Sequence, residues 1–325
     1  MDKQLVISVR TILITLGLVL LAALLFQIRT VIMQLVIALI LSLSIEPSVK
    51  YMVKSKAPRW LAVGIMFLAT IFVFVLFITL ALPVLVTQTR NLFLEIPDLI
   101  NSIFNTPELK QSLTESFTKL ISFESGYSVT VGVFTNTLSV ITVLIFTLYL
   151  SLDLPNVKKR LLNLFSEDLR DFVDDAWVDI EKNLSLWVKG QLLLMFAVGI
   201  SSYIGLLILG IPYAFPLAII SGLLEIVPVL GPIITTVIAA VVGFSISPIT
   251  GLLVLALFLV IQQFENGFLV PRIMQKIIGF NPLVTMIALL IGGKLFGIVG
   301  AVIAIPLALI IVAVTHRLIN FDLES

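Results

Sequence analysis

Long runs without a charged residue dominate the chain. Thr11 to Phe26 is uncharged, and after a short break at Gln27-Ile28-Arg29-Thr30, Val31 to Ile45 is uncharged too. Trp60 to Leu82, Val133 to Leu152 and Gln191 to Leu209 follow, each free of charge. From Pro216 to Thr315 the chain is almost continuously apolar, punctuated by prolines, glycines and a few charges. A bilayer core about 30 Å thick is crossed by roughly 20 apolar residues in helix, which satisfies every backbone polar group internally. The pattern therefore predicts an all-α, polytopic membrane protein. Lys3 and Arg10 before the first run imitate a signal peptide, but no small-x-small site precedes Gln27, so this run reads as a retained anchor.

The charges between the runs set an orientation. Residues 46–59 carry Lys50, Lys54, Lys56 and Arg59 against Glu46, and Lys158, Lys159 and Arg160 crowd the exit of a later span. Residues 84–132 hold three basic groups against five acidic ones. By the positive-inside bias the first two regions are expected in the cytoplasm and the third outside, with Arg272, Lys276 and Arg317 inside if the later segments pair as hairpins. Both termini are then cytoplasmic, and only Arg29 lies on the wrong side. The organisation expected is N-terminal transmembrane helices over 1–83, an extracellular polar helical segment over 84–132 and a transmembrane helix over 133–152. A cytoplasmic charged helical segment covers 153–189, a transmembrane core 190–316 and a cytoplasmic tail 317–325.

The two polar segments carry helical stripes. Leu109, Leu113, Phe117 and Leu120 recur at helical spacing behind Pro107, and Leu99, Ile100, Ile103 and Phe104 follow Pro97-Asp98. They suit amphipathic helices lying on the membrane or their own subunit, or else an oligomer contact or lid. In 153–189, eight acids and six bases surround Phe172, Ala176, Ile180, Leu184 and Trp187. That stripe runs on into Gln191, which predicts one long helix entering the bilayer from the cytoplasm. Its acids read as a solvated face.

The second half contains helix breaks. Gly210-Ile211-Pro212-Tyr213-Ala214-Phe215-Pro216 is followed by Gly222-Leu223-Leu224-Glu225-Ile226-Val227-Pro228-Val229-Leu230-Gly231-Pro232. Pro228, Gly231 and Pro232 within five residues cannot continue a helix, because each proline removes a donor and clashes with the preceding turn. Gly279-Phe280-Asn281-Pro282 and Gly292-Gly293-Lys294-Leu295-Phe296-Gly297 break the chain again. Two re-entrant hairpins are predicted, Pro216–Pro228 from outside and Pro282–Gly293 from inside, with Glu225 near one tip and Lys294 near the other. Interrupted helices in corresponding positions point to a transport site near the bilayer midplane.

An ionisable group in such a stretch costs roughly 2.5–3.5 kcal/mol on insertion scales, which singles out Glu225, Glu265 and Lys294. Glu225 has no base nearby in sequence and reads as functional, the alternative being a cap on orphan N–H donors. Gln262, Gln263, Glu265 and Asn266 form a polar cluster beside Pro271-Arg272. It reads either as a polar path or as an interfacial Glu265–Arg272 ion pair. Gly293, Gly297, Gly300, Ala304 and Ala308 put small residues on one face of the last span, for close helix approach.

Composition narrows the function. Of 325 residues 59% are apolar and 12% charged, against about 25% charged in ordinary soluble domains. This excludes a soluble cytoplasmic enzyme. A net charge of +1 gives no nucleic-acid footprint. With no cysteine and the single histidine His316, neither a cofactor nor a metal site is expected.

Lys189-Gly190-Gln191, Gly210 to Ala214, Ile226-Val227-Pro228-Val229-Leu230-Gly231-Pro232, Glu265-Asn266, Leu269-Val270-Pro271-Arg272, Asn281-Pro282-Leu283, Gly292 to Gly300 and Val302 to Ala308 together resemble the autoinducer-2 exporter family of bacterial permeases. The likeness is strong over about residues 185–312. The first half agrees in layout, with a Glu46-Pro47 break between two early spans and a third. Gly279-Phe280-Asn281 departs from the family pattern, which bears on substrate. The resemblance implies about eight helices in a bacterial inner membrane, export of small polar molecules such as a quorum signal, and homo-oligomers, with pentamers as one form. Some relatives resemble sodium/proton antiporters.

Three function classes follow. The first is an exporter driven by a proton or sodium gradient, for which hairpins and a protonatable group suffice. The second is a cation/proton antiporter, although no aspartate lies between Asp179 and Asp322 to form the usual pair. The third, an intramembrane serine protease, would use Ser221 with Lys294. A phosphate loop is absent, since Ala288 and Leu295 stand where Gly and Ser/Thr belong. A purely structural oligomeric scaffold would leave Glu225 dispensable.

Overall fold

The computed structural model describes residues 15–17, 20, 23–24, 27–76, 137–228, 230–274, 277 and 282–324. The polar segment expected over 84–132, most of the first anchor, Val229 and Gly279-Phe280-Asn281 lie outside the described residues. Every regular element among the described residues is helical: α1 Arg29–Lys54, α2 Arg59–Leu76, α3 Thr137–Leu162, α4 Glu167–Ile208, α5 Ala214–Leu224, α6 Leu230–Ile246, α7 Pro248–Phe264, a π-helical turn Glu265–Leu269, α8 Val270–Met274 and α9 Pro282–Glu324. Five described stretches are long and apolar enough to cross a bilayer: Arg29–Lys54, Ser139–Leu162, Leu169–Ile208, Pro248–Met274 and Leu283–Ile319. Leu68, Phe196, Ile249 and Leu290 are exposed on their surfaces. A belt of exposed large apolar side chains suits lipid as the solvent, not water.

The stripe from Phe172 to Trp187 continues without a break into the bilayer, since α4 is a single helix of 42 residues. The prolines divide by position. Pro216 and Pro232 stand in the first turns of α5 and α6, and Pro248 and Pro282 open α7 and α9. A helix needs no N–H donor there, so these prolines start helices. Pro47 and Pro155 lie inside α1 and α3.

At Pro47 the expectation of a break is not met. The helix runs through it to Lys54, and the loop anticipated over 46–59 shrinks to 55–58. Packing holds this stretch together: Ser42 donates across to the Thr147 carbonyl of α3 at 3.1 Å, and Ser44 donates back to the Ile40 carbonyl. Pro155 leaves the Ser151 carbonyl without its helical donor, and Arg59 supplies one. The same guanidinium reaches the Leu152 carbonyl and forms a bidentate pair with Glu46, both N–O distances 2.8 Å. Glu46 is 2% exposed. Arg59 thus ties α1, α2 and α3 at one point. Breaking a buried pair strands the remaining charge, at a cost of about 3–5 kcal/mol. Arg59→Gln should therefore markedly lower the thermal stability of the purified protein in detergent; an unchanged melting temperature would refute this role.

The ion pairs collect at one end of the bundle. Lys50 bonds Glu181, Lys158 meets Asp174 at 2.7 Å, and Arg317 holds Asp179 at 2.6 Å and Asp175 at 3.0 Å. The basic regions of α1, α3 and α9 therefore share one face with the charged start of α4. α5 returns along α4 towards this charged end: Gly222 backs onto Gly199, where a Cβ on Gly222 would lie 2.7 Å from the Met195 carbonyl.

α9 is itself a hairpin, with non-helical Phe296 and Gly297 at its turn and φ of +63° at Gly297. Its arms touch backbone to backbone, and a Cβ on Gly300 would sit 2.1 Å from the Gly292 carbonyl. This corrects the reading of Gly293 to Ala308 as one face of a single span. Gly297 is the bend, Gly292 meets Gly300 and Ala304 across it, and Gly293 makes only a loose contact with Ala301. The C-terminal arm returns to the charged end at Arg317, so the α5–α6 and α9 hairpins enter from opposite ends of the bundle.

Candidate functional site

Where α5 ends, three constraints converge. Glu225 caps the helix and its carbonyl accepts from Gln191 Nε2 of α4 at 2.7 Å. Gly231 of α6 presses on the same helix end, where a Cβ would lie 2.1 Å from the Leu224 carbonyl and 3.0 Å from the Glu225 nitrogen. Pro228 forms the turn, its carbonyl accepting from the Leu230 N–H at 2.9 Å. Glu225 is left 1% exposed and Gln191 4%.

The Glu225 side chain faces Glu265, and the two buried carboxyl groups are close enough to influence one another directly. Two carboxyl groups so placed can bond each other only with a proton on one of them, since an ionised carboxylate is an acceptor alone. Glu225 Oε2 meets no donor among the described residues. Glu265 is also buried, and it begins the π-helical turn that follows α7. Isolated π-turns recur at functional positions in helices. Here the turn explains why the Glu265–Arg272 ion pair is not formed. Seven residues make two α-helical turns and would align the two side chains, whereas one wide turn rotates Arg272 away by roughly 100°. Arg272 lies instead over the Phe268 ring, 3.7 Å from its centroid, and Phe268 stacks on Phe264.

The other predicted residues separate into two groups. Pro216, Gly231 and Pro232 are buried where α5 and α6 begin, with Pro228 half-buried in the turn between them. Val227 shares a core with Leu289, Ala301 and Ile305 of α9 and with Trp187 and Leu194 of α4, so one apolar core joins the two interrupted hairpins. Pro282 opens α9, and Gly292, Gly293 and Gly297 form its fold-back. Asn266, Arg272 and Lys294 are exposed, and Lys294 makes no ion pair among the described residues. The acid and the amine are not brought together; an acid and an acid are.

The depth also differs from the expected midplane. From Gln191 to Ile208 helix α4 rises about 26 Å, most of the hydrocarbon thickness. The carboxyl pair therefore sits towards the charged end of the bundle. In the sequence Ser202 has no role, Gln191 appears only as part of a motif and Ser221 only as a nucleophile, because small or neutral side chains carry no warning in an apolar run. Ser202 and Ser221 hydroxyls bond each other at 3.0 Å across the α4–α5 contact, and both are fully buried.

With this geometry in place, the family model described as AI-2E family transporter matches residues 12–320. The chain belongs to the AI-2E transporter family. It is 30% identical over 315 residues to "Putative transport protein YueF" of Bacillus subtilis, covering 88% of this chain and 84% of that one. "Putative transport protein YrrI" of the same organism is 26% identical over 303 residues, 86% of this chain and 84% of the relative. A shorter stretch of 164 residues is 28% identical to "Putative permease PerM" of Escherichia coli, 49% of this chain and 46% of the relative. AI-2E membership makes this a multi-pass membrane transport protein. The Ser221–Lys294 dyad is not brought together: Ser221 is buried in the α4–α5 contact against Ser202, whereas Lys294 is exposed on the α9 hairpin.

Proposed function

We propose that this AI-2E protein is a secondary-active transporter that exports small polar solutes and is driven by protons exchanged at Glu225 and Glu265. The observation that carries the reading is the buried pair of neighbouring carboxyl groups, at the tip of one interrupted hairpin and beside the core it shares with the other. Burying one carboxyl within an apolar segment is costly, and burying two against each other has no structural advantage over leucine. A shared proton makes the pair tolerable, and losing it sets two like charges side by side and drives the tip apart. That is a two-state element whose equilibrium a proton biases.

Export, and autoinducer-2 as the first solute to offer, rest on the family resemblance. The charged end is assigned to the cytoplasm from its excess of Lys and Arg; on this reading the protein is a multi-pass protein of a bacterial inner membrane with both termini cytoplasmic. Homo-oligomeric assembly, with a pentamer as the first form to test, belongs to the same reading. The alternative is a sodium (or lithium)/proton antiporter, favoured by the second carboxylate: two adjacent acids can trade their shared proton for a monovalent cation.

Flux in proteoliposomes under separate proton and sodium gradients decides between these. Solute movement driven by the proton gradient alone supports the exporter. Sodium-dependent proton release without solute supports the antiporter, and flux indifferent to both gradients overturns the proton-coupled reading.

A further inference from the structure

The charged end of the bundle encloses a cavity of about 510 Å³ between α1, α2, α3 and α4. Five basic side chains reach it and three acids answer them. Arg59 is neutralised by Glu46, Lys50 by Glu181 and Lys158 by Asp174. Lys54 at the end of α1 and Lys159 on α3 remain, and neither has a carboxylate partner among the described residues. The cavity thus offers two uncompensated ammonium groups from two different helices. Its other wall is apolar, formed by Val53, Leu154 and Leu162.

Depth decides which anion suits it. Tyr51 and Trp60, on the α1 and α2 ends that border the cavity, are 75% and 67% exposed. Exposed Tyr and Trp at helix ends mark the headgroup level of a bilayer, where an amphipathic ring has both solvents within reach. A cationic recess beside an apolar wall at that level matches a lipid in both halves, phosphate on the lysines and acyl chain along the leucines. Basic pockets between membrane helices take anionic headgroups by this chemistry.

We propose that this cavity binds the phosphate headgroup of an anionic phospholipid, held by Lys54 and Lys159, which bridges the ends of α1 and α3. Each lysine near an anionic lipid surface contributes about 1 kcal/mol, so losing both weakens binding by about thirtyfold.

The test uses the full-length protein, purified and delipidated in detergent, with thermal shift and native mass spectrometry as readouts. Phosphatidylglycerol should raise the melting temperature and remain bound, whereas phosphatidylcholine should do neither. In Lys54→Gln/Lys159→Gln the apparent affinity for phosphatidylglycerol should fall about thirtyfold. Arg160→Gln/Lys182→Gln, exposed bases that do not line the cavity, should retain it. Equal stabilisation by phosphatidylcholine, or an undiminished response in the cavity variant, would overturn the proposal. So would an equal loss in the control variant, which would reduce the effect to general surface charge. Stabilisation by inorganic phosphate or glycerol phosphate at the same concentration, without an effect of the lipid, would assign the lysines to a soluble phosphate instead.

Discussion

Glu225→Gln should reduce proton-driven flux in proteoliposomes to the level of empty vesicles, a loss of at least about a hundredfold, while the protein still folds and inserts. Glutamine has the volume of glutamate and its amide can donate to Glu265, so the contact at the α5 tip survives. What disappears is the exchangeable proton, because an amide does not titrate in the accessible range. The two-state element then loses the ligand that biases it, and a conformational change without differential binding has no driving force. Glu265→Gln should have the same effect, since the proton belongs to the pair. A further sign separates coupling from binding. In either variant, solute exchange with equal pH on both sides should persist, and a pH-sensitive dye in the lumen should no longer respond to added solute. Full proton-driven transport by Glu225→Gln would remove that carboxyl from the mechanism.

The sequence reveals one half of this pair and misdirects on the other. Glu225 stands out because nothing within an apolar run of that length offers it a counter-charge. The prolines that flank it announce an interruption, and Pro216, Pro232 and Pro282 do lie where helices begin. Glu265 points the wrong way on paper: a base seven residues on suggests an ion pair, and regular α-helical winding would align the two. A single π-turn is a shift of one residue, which no propensity or periodicity in that stretch signals. Lys294 fails for another reason. Its segment is a tight hairpin of glycines, so the side chain is displayed outside the fold and not pointed into it. Arg59 reads in the sequence as one more basic residue in a positive loop. Two hints were present, a glutamate just before Pro47 inside a span and the donorless Pro155 four residues after Ser151, but only the packing of three helices shows that one guanidinium answers both.

The hairpin tip should tolerate almost no added bulk at Gly231, and Gly231→Ala is expected to be among the most damaging single methyls in the described structure. The new Cβ would lie 2.1 Å from the Leu224 carbonyl oxygen and 2.4 Å from its carbon. Both are backbone atoms at the end of a packed helix, so no rotamer change relieves the overlap and α5 and α6 must separate. Separation breaks the Gly231 N–H bond to the Val227 carbonyl and pulls Glu225 away from Gln191 and Glu265. Overpacking of a rigid core costs about 1–3 kcal/mol, and the loss of a buried hydrogen bond adds about 1–3 more. Thermal unfolding in detergent and proton-driven flux should therefore fall together in Gly231→Ala. Gly267→Ala supplies the contrast within the site: nothing lies within 4 Å of its added Cβ, although it sits in the π-turn two residues from Glu265. It should match the parent protein in stability, and helix propensity favours alanine over glycine by about 1 kcal/mol. If Gly231→Ala were as stable and active as Gly267→Ala, the close contact between α5 and α6 would be wrong, and the geometry that brings the two carboxyl groups together would fall with it.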